Sequence, residues 1–209
     1  MKEQNICIFG DSIVWGAFDP ECGGWANRVR NYFEQNNYEA YFSSMGICGD
    51  TTTNLLERFE REAKARGGNI IIFAIGINDA RYFRSKDNPE LSLERFRGNI
   101  EELYLRAARF AEKIVFVGLT NVDDSKTMPG EWDGITFYDN EVIKQYDAAI
   151  RTFCKEKNVP FINVFGLLSE TDFIGDGLHP SSLGHKKIFE KVKDFLLEHG
   201  IIENILAGW

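Results

Sequence analysis

Five short runs of nearly continuous apolar or β-branched residues punctuate the chain: NICIFG at 5–10, AYFSSM at 40–45, NIIIFAI at 69–75, KIVFVGL at 113–119 and VPFINV at 159–164. Runs without polar alternation are expected of strands buried on both faces. Between them the apolar spacing changes to three and four, the helical period. Trp25, Val29, Tyr32 and Phe33 mark one such stretch, and Leu55, Leu56, Phe59 and Ala63 a second. A third stripe runs from Leu93 through Phe96, Ile100, Leu103, Tyr104 and Ala107 to Phe110. Val142, Ile143, Tyr146, Ala149, Ile150 and Phe153 form a fourth, and Ile188, Val192, Phe195 and Leu196 a fifth.

Strand and helix alternate throughout, which predicts an α/β fold with a parallel sheet and helices on both faces. The Gly67–Gly68 pair reads as a helix stop ahead of the third strand. Residues 120–137 (TNVDDSKTMPGEWDGITF) form the one long irregular insert, and such a loop is often functional. With no repeat, low-complexity segment or linker-like shift, residues 1–209 read as one domain ending in an apolar tail, IIENILAGW at 201–209. That tail is too apolar to stand free in water; it packs either on its own domain or on a second subunit.

The bulk composition narrows the partners. A chain of 209 residues that is 44% apolar, with 17 Phe and 4 Trp, can bury a proper core. The net charge of −8 would repel the phosphate lattice of nucleic acid, so no nucleic-acid partner is expected. No run approaches the ~18–20 apolar residues of a membrane span. The N-terminal MKEQNICIFGDS lacks a basic segment followed by a long apolar one, so no signal peptide is expected. The four cysteines show no CxxC spacing and read as reduced thiols, which points to the cytoplasm.

In an open parallel sheet, ligands gather at the carboxyl ends of the strands. The first run ends in Gly10-Asp11-Ser12, the second leads to Gly46-Ile47-Cys48-Gly49-Asp50-Thr51, and the third to Gly76-Ile77-Asn78-Asp79. Asp176-Gly177-Leu178-His179-Pro180 follows the fifth. Serine, glycine, asparagine, aspartate and histidine thus arrive at one edge, which is the inventory of a serine hydrolase. A serine hydroxyl is a weak nucleophile at neutral pH and needs a base. An imidazole suits, since it ordinarily titrates near ~6.5, and a carboxylate on its other nitrogen would fix the tautomer. Asp176 and His179, three apart in one glycine-containing loop, can be presented together. The oxyanion would need donors, which the Gly49 N–H, the Asn78 side-chain amide and the Ser12 N–H could supply.

Each piece also has a plainer reading. Asp11-Ser12 could simply cap a helix, and Asn78-Asp79 could form a turn or cap. Asp50 and Thr51 read as caps for the helix carrying Leu55 and Leu56. His185 reads as structural and His199 as a solvated helix end. Asp176, His179 and His185 could be taken as metal ligands, but no further ligand cluster completes the set. Cys48 reads as an apolar lining residue rather than a thiol nucleophile.

The blocks FGDSIVWG, GICGDTT, GIND and DGLHP resemble, in order and spacing, those of the SGNH or GDSL hydrolases, from Ile6 to about Val192. The resemblance implies a flavodoxin-like three-layer α/β/α fold with a five-stranded parallel sheet. It also implies Ser12 as nucleophile, His179 as base and Asp176 as its orienter, with Gly49, Asn78 and the Ser12 N–H as oxyanion donors. Ser44 stands where many relatives have an asparagine, and the GxSxG elbow of the α/β-hydrolases is absent. The expected activity is hydrolysis of a small-molecule ester through an acyl-enzyme, on short acyl or acetyl groups including those of carbohydrates, with no metal or organic cofactor. A thioesterase, lysophospholipase or acyltransferase could use the same triad, and a non-enzymatic anion-binding module is the third alternative. Trp15, Tyr82, Phe83 and Trp132 are candidate pocket residues. Arg81, Arg84 and Lys86 either meet an anionic or sugar substrate or belong to a solvated loop.

Overall fold

The first apolar run becomes strand β1 (Gln4–Gly10), buried at every position but Asn5, in the computed structural model, which describes residues 3–36 and 38–204. A four-residue helix α1 (Ser12–Trp15) follows directly, then helix α2 (Trp25–Gln35), strand β2 (Ala40–Gly46), helix α3 (Thr52–Ala65) and strand β3 (Ile70–Ala74). The second half runs through β4 (Tyr82–Phe83), α4 (Leu93–Ala107), β5 (Lys113–Val117), α5 (Asp124–Thr127), β6 (Thr136–Phe137), α6 (Asn140–Lys157), β7 (Phe161–Ile162) and α7 (Ser182–Glu198).

The five long-run strands form one parallel sheet in the order β2-β1-β3-β5-β7. The helices lie in two layers, α2 packing against α7 on one side, α3 against α4 and α4 against α6 on the other. Right-handed crossovers require this: the chain steps from β1 to β2, then crosses back past β1 to β3, so α2 and α3 must take opposite faces. The strand order therefore reverses between β1 and β3, and ligands of such sheets bind at the carboxyl end of that reversal. Phe9, Phe59, Phe73 and Phe116 are fully buried at the centre; Phe9 meets Phe59 edge-on at 5.1 Å between ring centroids.

The carboxyl edge is cleared for α1 by small residues in register, with Gly10 opposite both Gly46 and Ala74. A Cβ on Gly46 would sit 2.1 Å from the Trp15 N, and one on Gly10 would sit 2.2 Å from Val14 Cγ2. Ser44 Oγ donates to the Val14 carbonyl (3.1 Å), so β2 also holds α1 by its side chain.

Three sequence expectations change. The last strand shrinks to two residues, since Pro160 at the sheet edge has no N–H to extend the ladder. The 120–137 insert is structured: it contains α5, and its β6 pairs antiparallel with β4, Tyr82 opposite Phe137 and Phe83 opposite Thr136. Thr51 alone caps α3, in a reciprocal box with Asn54, whereas the Asp50 carboxylate binds Arg58 Nε at 2.7 Å. The described part of the tail packs on its own chain. Ile201 and Ile202 are buried, and Gln4 and Glu203 exchange hydrogen bonds of 2.8 and 2.7 Å. Residues 205–209 of that tail lie outside the described residues. Among the described residues no helix is long and apolar enough to cross a membrane.

Candidate active site

Ser12 opens α1, and its neighbour Asp11 is the cap: the Asp11 carboxylate accepts from the Ile13 N–H at 2.9 Å. The leading N–H groups of a helix have no intrahelical acceptor, so the Ser12 N–H stays free of the helix ladder. Burial pushes the Asp11 carboxyl up to about 7, against the pull of the Ile13 N–H and of His179.

Ser12 Oγ lies 2.9 Å from His179 Nε2, and His179 Nδ1 lies 2.6 Å from Asp176 Oδ2. A carboxylate can only accept, so the ring proton belongs on Nδ1 and Nε2 faces the hydroxyl as an acceptor. The other oxygen, Asp176 Oδ1, accepts from the Leu178 and His179 backbone N–H groups, both at 2.9 Å. Partial burial pushes the Asp176 carboxyl up, but these three donors outweigh it and hold the carboxyl below its ordinary range. Such a relay can take a proton from the hydroxyl and stabilise the imidazolium that forms.

Two further loops face the serine. The Asp50 N–H bonds the Ile47 carbonyl at 3.2 Å, closing a four-residue turn with Gly49 third at φ +82°. That turn position favours glycine for its left-handed backbone. Apart from its two chain neighbours, nothing lies within 4 Å of where a Gly49 Cβ would point, so the constraint is backbone conformation rather than room. Asn78, buried after β3, donates from Nδ2 to the Asp50 carbonyl (3.0 Å), and its Oδ1 accepts from Tyr138 Oη (2.8 Å). Its neighbour Asp79 points away and accepts from the Thr52 N–H at 3.0 Å, bracing the start of α3.

All five candidate residues, Ser12, Gly49, Asn78, Asp176 and His179, line one open cleft of about 640 Å³. Trp15, Phe83, Trp132 and Arg81 line it too. Tyr82 does not; it is buried and stacks on Phe137 at 5.1 Å. Arg84 and Lys86 also lie away from the cleft lining, Lys86 holding Asp139 at 2.5 Å. Arg81 is paired with Glu90 at 3.0 Å. His185 is fully buried in the α7 layer, as its structural reading requires. Among the described residues no group of three or more His, Cys, Asp or Glu side chains is placed to hold a metal ion.

Sequence reasoning missed three residues. Phe18, at φ +62° and 61% exposed, sets its ring edge-on to the His179 imidazole at 5.2 Å. Arg58 reads as half of an ordinary i,i+4 surface pair with Glu62. Yet its other nitrogens reach the Gly10 carbonyl (3.2 Å), the Met45 carbonyl (3.0 Å) and Asp50, tying together the ends of β1 and β2. Tyr138 follows the insert and carries no spacing signal at all.

The model of the GDSL-like Lipase/Acylhydrolase family matches residues 8–187. A GDSL esterase/lipase of Arabidopsis thaliana is 23% identical over 99% of this chain and 91% of its own. Among solved structures, a lipase/acylhydrolase from Enterococcus faecalis superposes with a TM-score of 0.78 at 21% identity, covering 96% of this chain and 98% of that one. An acetylxylan esterase from Geobacillus stearothermophilus gives a TM-score of 0.74 at 17% identity, over 94% and 95% of the two chains.

Proposed function

The chain belongs to the GDSL-like lipase/acylhydrolase family and is a carboxylic ester hydrolase, and from that premise we propose that Ser12 is its nucleophile, His179 its base and Asp176 the orienting carboxylate. The observation that carries this reading is the unbroken relay of 2.9 and 2.6 Å from the serine hydroxyl to the carboxylate. The Geobacillus stearothermophilus enzyme lends support, since its catalytic mutants replace a serine, an aspartate and a histidine, the last two spaced three apart as Asp176 and His179 are.

The reaction follows from the geometry. Ser12 Oγ attacks the ester carbonyl as its proton passes to His179 Nε2. The carbonyl oxygen becomes an oxyanion among the Ser12 N–H, the Gly49 N–H and the free N–H of Asn78 Nδ2. His179 then gives its proton to the departing alkoxide, which leaves as the alcohol. Water, deprotonated by the same nitrogen, attacks the acyl-enzyme, and His179 returns that proton to Ser12 Oγ as the acid leaves.

The substrate class is a short acyl or acetyl ester, with carbohydrate esters included. Trp15 and Trp132 support this, because they stand 58% and 47% exposed at the cleft and offer flat faces to a sugar ring. Ser12→Ala should lower kcat by up to ~10⁶ and abolish labelling by a fluorophosphonate. Near-normal turnover of a p-nitrophenyl ester by that variant would end the assignment. A panel of acetyl, butyryl and octanoyl esters, acetylated sugars and acyl thioesters should show the highest kcat/KM on acetyl esters. A preference for octanoyl or thioester substrates would replace this substrate class.

A further inference from the structure

An asparagine amide can sit in its socket two ways round, and only one of them presents N–H groups to an oxyanion. Two neighbours of Asn78 bear on which way it lies. The Asp50 carbonyl is acceptor-only and takes one N–H of Nδ2 at 3.0 Å. On the other side Tyr138 Oη lies 2.8 Å from Oδ1. Turning the amide over would set Oδ1 against the Asp50 carbonyl oxygen, a repulsive pair. In the orientation present, both contacts are satisfied and Nδ2 keeps a second N–H for the cleft that Asn78 lines.

Tyr138 is built to be a donor here. It is 3% exposed, and burial pushes its phenol pKa up, so the proton stays on at neutral pH. The Arg81 guanidinium faces the same phenol and is itself anchored on Glu90 at 3.0 Å. A guanidinium has donors only, so beside it the phenolic proton is directed to Asn78 Oδ1, the acceptor that receives it. The backbone next to Tyr138 is also fixed: its N–H donates to the Thr127 carbonyl (3.0 Å), and its carbonyl accepts from Thr127 Oγ1 (2.7 Å). The tyrosine therefore stands on the structured insert and reaches across to the loop after β3.

We infer that Tyr138 is a positioning residue for ester hydrolysis: its hydroxyl locks the Asn78 amide in the orientation that gives an N–H to the oxyanion. This rests on the reading of Asn78 as an oxyanion donor. Tyr138 itself lines the cleft, but its hydroxyl is taken up by Asn78 Oδ1. Loss of that hydroxyl with the ring retained should therefore act on transition-state stabilisation and leave substrate binding almost alone.

The test combines Tyr138→Phe, Asn78→Ala and the double variant, which keep the serine–histidine pair intact. Loss of one oxyanion donor costs roughly 10²–10³ in kcat, the fall expected for Asn78→Ala. Tyr138→Phe keeps the ring and its packing, and kcat should fall by about 10- to 100-fold with KM within about twofold. The double variant should be no slower than Asn78→Ala, because the phenol acts only through that amide. Affinity for a trifluoromethyl ketone, whose bound adduct carries the oxyanion, should fall by the same factor as kcat/KM. Wild-type kcat in Asn78→Ala would overturn the oxyanion reading and this inference together. An impaired Asn78→Ala beside an unimpaired Tyr138→Phe would overturn this inference alone. So would costs that multiply in the double variant. Should Tyr138→Phe unfold early, 3-fluorotyrosine at 138 changes the donor at constant packing; unchanged inhibitor affinity in that protein would likewise overturn it.

Discussion

His179 and His185 stand six residues apart and use their ring nitrogens in opposite senses. His179, its side chain 17% exposed at the cleft, donates a hydrogen bond from Nδ1–H to the Asp176 carboxylate and keeps Nε2 as an acceptor for Ser12. His185, fully buried on α7, accepts the Trp25 N–H on Nδ1 (3.3 Å) and turns Nε2 to the Ala17 carbonyl (3.4 Å). Trp25 opens α2, where Gly24 has no side chain to cap the helix, so the imidazole of α7 fills the cap position from outside. A carboxylate holds one ring with Nε2 turned to the serine hydroxyl, and burial holds the other ring neutral between two backbone groups. The difference lies in the partner on the second nitrogen and in access to water, since the residue type is the same.

Removing the carboxylate should break this contrast with the largest effect. Asp176→Asn keeps the shape but lets the amide favour the wrong His179 tautomer, the one His185 already has. We expect kcat for a short p-nitrophenyl ester to fall roughly 10⁴-fold, with thermal stability changed little. A loss below tenfold would mean that the 2.6 Å contact does not set the His179 tautomer.

That difference also marks how far the sequence could be read. Ser12, Gly49 and Asn78 were legible as candidates because each closely follows an apolar run that ends at the sheet's carboxyl edge, and the Asp176–His179 pair because its short spacing sits in one glycine-containing loop. His179 and His185 were separable by position, one in a glycine-containing loop and one on a helical stripe. Residues that act across elements were not legible. Arg58 pairs with Glu62 at i,i+4 as a solvated face would, and nothing local shows that it also reaches the ends of β1 and β2. Tyr138 is a lone tyrosine after a polar insert, and its bond to Asn78 spans 60 positions. The β4–β6 pair was invisible for a different reason: two-residue strands are too short to show a period. Tyr82 was misplaced for the same cause, because alternation over two residues cannot say which side chain stacks inward.

The buried histidine offers the smaller and subtler test. Desolvation lowers the His185 pKa to about 4, against an ordinary value of 6.5, while the Ala17 carbonyl and Asp19 pull it partly back up. Between those two pH values the unfolded chain holds a proton that the folded chain refuses. The stability this neutral ring contributes is therefore fully present above about 6.5 and lost as pH falls toward about 4, on the order of 3 kcal/mol. Asp11 and Asp79 act with the opposite sign. Burial raises their folded pKa values to about 7 and about 6, so the folded chain holds protons that the unfolded one has released, and their contribution fades as pH rises. The overall curve is thus a partial cancellation, and only a difference between variants isolates the histidine. His185→Leu should cost roughly 2–4 kcal/mol at pH 7, because the Trp25 N–H and the Ala17 carbonyl lose their partner in a buried site. Urea unfolding at several pH values should then show that this gap narrows between pH 6.5 and 4, while kcat/KM at 25 °C stays within a few-fold of the parent. A constant gap across that range would mean that His185 titrates alike in both states, and its neutrality in the fold would have to be given up.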